Sequence, residues 1–188
     1  MVVCTFFGHR ECPDSIQANL KKLLINLIEK QHVELFYVGP QGSFDRIVRN
    51  TLRELAFRYP HVRYYVVLAY IPQSPKEYDD LDYSLTLLPD GIEAIPKRFA
   101  ISWRNKWMIQ QADYVVTYVT HSWGGAAQFT EIAKKQRKTV FNLPDHFLDN
   151  MILVKIHYSY SCRSNALIIA IIIRKAIISF HEKIERSL

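Results

Sequence analysis

A doubly wound α/β fold, a mostly parallel sheet with helices on both faces, is predicted for residues 1–148 of the 188-residue chain, with a hydrophobic extension over residues 149–188. Two observations carry this. Short apolar runs of strand length alternate with longer segments whose apolar residues recur at the helical period, the pattern of a parallel sheet built from crossover units. Glycine-bearing turns follow three of those runs, where the ligand edge of such a sheet lies.

Residues 2–7 form a short apolar run ending at Gly8, as expected of a buried strand feeding a loop. Pro13, Asp14 and Ser15 supply a helix start, and Ile16, Leu20, Leu23, Leu24, Leu27 and Ile28 keep one face apolar to about Lys30. Residues 35–38 read as a second strand, stopped by Gly39 and Pro40. Phe44, Ile47, Val48, Leu52, Leu55 and Ala56 mark a second helix, with Pro60 just past its end. Residues 62–70, rich in Val and Tyr, read as a third strand.

From 71 to 97 the rhythm breaks, because Pro72, Pro75, Pro89, Pro96 and the acidic Asp79, Asp80 and Asp82 punctuate it; one short strand is expected around residues 84–88. A helix over residues 98–111, a strand over 114–119, a helix over 126–136 and a strand over 139–143 complete the domain.

A hydrophobic share of 49% over 188 residues supports a genuine core and excludes wholesale disorder. The net charge of +6 and the isoelectric point near 9.2 suit anionic partners. The basic residues are nevertheless spread along the chain and form no nucleic-acid-binding block. Cys4, Cys12 and Cys162 have no paired spacing, so neither a disulfide framework nor a zinc site is expected. The seven histidines make no metal-ligand pair, and no P-loop lysine or nucleophile elbow occurs, so no metal and no cofactor is implied. No basic leader precedes the first strand, and Arg174 and Lys175 end the apolar residues 166–173 short of the ~20 a membrane span requires. A cytoplasmic protein without a membrane partner is the expectation.

Three turns hold the candidate ligand-binding residues: Gly8-His9-Arg10, the stretch from Gly39 through Gly42 and Phe44 to Asp45, and Trp123-Gly124-Gly125-Ala126. Glycines allow a tight turn and close backbone approach, and the helix after Gly124-Gly125 offers unpaired N–H groups to an anion. Arg10 suits a phosphate through its planar fork, and Asp45 suits a sugar hydroxyl. Trp103 and Trp107, four apart on a helix, fit core packing, whereas Trp123 beside the glycines is the better candidate for stacking on a base.

Gly124-Gly125 followed by Glu131 resembles the G-G-x-G-T-x-x-E element of the SLOG superfamily, which includes the LOG phosphoribohydrolases and the DNA-processing protein A family. Arg104-Asn105-Lys106-Trp107-Met108 leading to Ala112-Asp113 is similar to the R-N-x-x-M…A-D stretch of bacterial SLOG proteins of uncharacterised function. The openings Thr5 to Arg10 and Gly42 to Asp45 resemble the same branch. The resemblance spans roughly residues 1–145. It implies a Rossmann-like fold that binds nucleotides or nucleotide-derived ligands, with Asn105 beside the site. In the phosphoribohydrolases an arginine and a glutamate at the positions of Arg104 and Glu131 support cleavage of the N-glycosidic bond of a nucleoside 5′-monophosphate, and these two are the candidate catalytic residues. A carboxylate can stabilise the cationic sugar of that reaction.

Ala127 and Gln128 stand where the enzymes have glycine and threonine, which removes a flexible backbone position and a small hydroxyl. Gln128 can still donate hydrogen bonds, so binding survives better than catalysis. The favoured function is therefore a sensor or sequestering module for a nucleotide-derived ligand. A nucleoside 5′-monophosphate phosphoribohydrolase and a single-stranded DNA binder are the alternatives. The Ile-rich residues 149–188 fall outside the resemblance; their apolar surface must be hidden, either by packing on the sheet or in a homo-oligomer interface.

Overall fold

The computed structural model describes residues 1–71 and 83–144. The hydrophobic extension and the acidic part of the excursion, residues 72–82, lie outside the described residues. Six strands, β1 (Val2–Gly8), β2 (Val33–Val38), β3 (Arg63–Val67), β4 (Thr86–Leu87), β5 (Tyr114–Tyr118) and β6 (Thr139–Asn142), form one sheet in the order β4-β3-β2-β1-β5-β6. Every neighbouring pair is parallel. The helices are α1 (Gln17–Gln31), α2 (Gly42–Arg58), α3 (Lys97–Gln111) and α4 (Gly125–Lys135).

The central strands β1 and β5 are largely apolar and buried because both faces of the sheet are covered. Phe6, Val66 and Val116 belong to the cluster built with Leu20, Leu24 and Leu27 of α1 and Phe44, Val48 and Leu52 of α2. Their neighbours Phe7, Val67 and Val115 pack instead with Met108 and Ile109 of α3 and Phe129 and Ala133 of α4. Alternation at period two thus sends successive side chains to opposite layers. This is the doubly wound, Rossmann-like α/β architecture expected from the sequence.

Differences from the expected elements are local. Asp14–Ile16 form a single 3₁₀ turn, and α1 begins only at Gln17. The third strand stops at Val67, short of residue 70: Leu68 donates its N–H to Leu87 O at 2.8 Å, and the chain then bends away. The short strand in the excursion is two residues long. Among the described residues no helix is long and apolar enough to cross a membrane.

From β1 the chain winds outward to β4, then returns to lay β5 on the other side of β1. The winding direction therefore reverses between β1 and β5, and a crevice opens beyond their carboxyl ends, the place where open α/β sheets bind ligands.

Candidate functional site

A cavity of about 340 Å³ occupies that crevice. Phe6, Phe7, Gly8 and Arg10 enter it from the end of β1, Gly39, Gln41, Gly42 and Asp45 from the turn into α2, and Gly125, Ala126 and Phe129 from the start of α4. Ile101, Arg104, Asn105 and Met108 line it from α3.

Glycine is required here for three separate reasons. A Cβ on Gly8 would collide with the Phe44 ring, and one on Gly39 with the Asp45 carboxylate. Gly42, at φ +92°, adopts a left-handed conformation against the Arg10 backbone. The first two turns are fastened there: Ser43 donates to Arg10 O through its backbone N at 2.9 Å and its hydroxyl at 2.8 Å, and Cys12 N donates to Ser43 Oγ at 2.7 Å. Gly124, at φ +90° and ψ 174°, turns the chain into α4, and Gly124 O accepts from Gln128 N at 3.1 Å.

Arg104 is 6% exposed. Its Nε and Nη2 donate to Asn105 Oδ1 at 3.0 and 2.8 Å, and Nη1 donates to Val67 O at 3.1 Å. The guanidinium plane is thus fixed by its neighbour and by the end of β3. Arg49, also buried, donates to Pro40 O at 3.0 Å and Gly39 O at 3.4 Å. Between these arginines sits Asp45, whose Oδ2 accepts from Gln41 N at 3.3 Å. The residue keeps some surface, but its carboxyl is deeply enclosed. Burial pushes its pKa up to about 6, against the opposing pull of Arg104 and Arg49 and the Gln41 amide. Three arginines, Arg10, Arg49 and Arg104, thus stand at or behind the wall against one acid, which suits an anion.

Beside the cavity the turn after β5 carries a ring stack. His9 lies on His121 at 3.6 Å between centroids and 18° between planes, and His121 on Trp123 at 3.8 Å and 16°. Thr120 N donates to His9 Nε2 at 3.1 Å. Only an Nε2 carrying a lone pair can accept that bond, so His9 is neutral with its proton on Nδ1. Desolvation first, then His121, lowers its pKa.

Of the sequence-derived candidates, Gly8, Arg10, Gly39, Gly42, Asp45, Arg104, Asn105, Gly125 and Ala126 meet on the cavity wall. His9, Phe44, Trp123, Gly124, Gln128 and Glu131 do not line it. Phe44 packs beneath Gly8, and His9 and Trp123 belong to the stack. Gln128 is exposed, and the Glu131 carboxylate pairs with Lys134 Nζ at 2.8 Å on the solvent side of α4. Trp107 packs against Tyr37 at 5.3 Å, and Trp103 against the small cluster of Ala69, Ile92 and Ala100. Among the described residues no group of His, Cys, Asp and Glu could hold a metal ion.

Sequence reading missed Arg49 and His121. Arg49 carries a signal: it lies four residues after Asp45 on the helix face that also holds Phe44, Val48 and Leu52, where a charge needs a buried partner. His121 had no local pattern to flag it. The cavity's apolar wall, Phe6, Phe7, Met108 and Phe129, was not among the sequence-derived candidates.

No family model matches the sequence, and no curated protein matches it. Solved structures do share the fold. DNA processing protein A from Streptococcus pneumoniae superposes with a TM-score of 0.55 at 16% identity, over 76% of this chain and 50% of that one. DNA processing protein A from Helicobacter pylori, whose structure describes a single-stranded DNA binding mode, gives 0.53 at 14% identity, over 79% and 72%. The chain spans half the length of the Streptococcus protein. At such identities the likeness is one of fold.

Proposed function

We propose that this protein binds a nucleotide unit in the crevice beyond β1 and β5, as a binding module and not as a hydrolase. The observation that carries the reading is the meeting of all three glycine turns with the fixed guanidinium of Arg104 on a single cavity of about 340 Å³. The N–H groups of the first turn of α4 at Gly125 and Ala126, with Arg10 on the same cavity wall, suit a phosphate. Asp45, held by Gln41, suits a ribose or deoxyribose hydroxyl, and Phe129 and Met108 supply apolar surface for a base.

N-glycosidic cleavage would need a carboxylate against the anomeric centre of the sugar, the part that the resemblance gives to Glu131. Glu131 is paired with Lys134 and faces solvent, which weighs against the phosphoribohydrolase reading. A second reading keeps the same cavity but presents the nucleotide as part of a single strand. It is supported by the single-stranded DNA binding of the Helicobacter pylori neighbour and by the +6 charge.

Dialysis of the protein against a panel of nucleoside phosphates, followed by mass spectrometry, tests the proposal. A compound retained unchanged, with retention surviving Glu131→Gln and lost in Arg104→Ala, is the expected result. Release of free base and ribose 5-phosphate that stops in Glu131→Gln would replace it with the hydrolase.

A further inference from the structure

The ring stack beside the cavity has no structural task that its exposed end explains. His9 and His121 are held by hydrogen bonds, to Thr120 N and to Trp123 O at 2.9 Å. Trp123 is 72% exposed, with one face on His121. Among the described residues no other ring covers its second face. Leaving a large indole in water forgoes its burial. The two imidazoles beneath hold that indole flat and in a defined orientation.

Its position ties it to the cavity. His9 lies between Gly8 and Arg10, and Trp123 lies two residues before Gly125; all three of those neighbours line the wall. Two residues span at most about 7 Å, within reach of a single nucleotide step, whose ~3.4 Å in a stacked strand lengthens when the two bases are not stacked on each other.

We infer that the outer face of Trp123 is a second base-stacking position, so that the site takes a ligand of at least two linked nucleotides, one in the cavity and one on the indole. This rests on the nucleotide reading of the cavity. Stacking tolerates any base because every base has a π-face, and a ring already ordered by its neighbours loses little freedom when a base lands on it. The linking phosphodiester would pass the mouth beside Arg10, which is exposed and lines the wall.

Calorimetric titration of the full chain with deoxyadenosine 5′-monophosphate and with its 5′-phosphorylated dinucleotide tests the inference. The dinucleotide should bind about tenfold more tightly, the order expected of one stacked base. Trp123→Ala should erase that advantage and leave the mononucleotide affinity unchanged, while Trp123→Phe should keep most of it. Equal affinities of the two ligands for the native chain, or equal weakening of both by Trp123→Ala, would overturn the second position and leave the cavity reading standing. Failure of both ligands to bind would overturn the cavity reading and the platform with it.

Discussion

Asp45 and His9 respond to acid in opposite senses, and each response follows from its surroundings. Burial raises the Asp45 carboxyl from 3.8 in the ordinary state to about 6. Its contribution to stability is therefore full below pH 3.8 and is lost as pH rises through about 6. His9 is shifted the other way, below 6.5. As pH falls under that value the unfolded chain takes up a proton that the folded one refuses, and stability falls. Denaturant titrations between pH 4 and 8 should show the acid-side gain disappear in Asp45→Asn and the acid-side loss shrink in His9→Gln. Unchanged pH profiles in both variants would contradict these environments. Gly8→Ala drives a methyl group into Phe44 and should cost about 1–3 kcal/mol by the same titration, the usual penalty of overpacking. Asp45 and His9 stood out in the sequence as candidates because each lies beside a glycine turn at a strand end. The partners that set their properties, Arg49 and His121, did not, since burial and ring contact arise only when distant segments meet.

At the scale of elements, the turn into α4 separates two adjacent glycines by role. Gly124 sits at φ +90° and ψ 174°, a region open to glycine alone, whereas a Cβ on Gly125 would meet nothing within 4 Å. Gly124→Ala should therefore lose about 1–3 kcal/mol of stability through backbone strain. Gly125→Ala should fold normally but weaken nucleotide binding, because its methyl group would stand at the cavity wall. Thermal melts paired with binding isotherms read both effects; equal destabilisation by the two substitutions would refute the division. The helices and most strands were legible because their apolar periods are long and undisturbed. The end of β3 was not: residues 68–70 continue the apolar run that reads as strand, and Leu68 and Ala69 are buried. Pairing ends instead where the two-residue β4 runs out, a tertiary limit with no trace in local composition.

At the scale of the molecule, the order β4-β3-β2-β1-β5-β6 decides where function can sit. The glycine turns after β1 and β2 and the turn before α4 lie far apart in the chain, from Gly8 to Gly125, and the reversal beside β1 brings them to one edge. That edge could be anticipated from the alternation of elements and the right-handed crossover rule. Which candidates reach the cavity could not, since Glu131 and Gln128 share the helix of Ala126 yet project elsewhere. The Ile-rich residues 149–188 pose a separate question of what hides their apolar surface. A chain ending at Leu148 should have a lower oligomeric mass in solution if they form an interface; an unchanged mass excludes an assembly role.

The central claim, a nucleotide unit in the crevice beyond β1 and β5, is tested most directly by amide chemical shifts during titration with deoxyadenosine 5′-monophosphate. Saturable shifts concentrated at Gly8, Gly39, Gly125 and Ala126 are expected, with the Arg104 side-chain resonance moving at the same ligand concentration. Shifts that are absent, or that gather at the opposite end of the sheet around Arg63 and Tyr64, would contradict it.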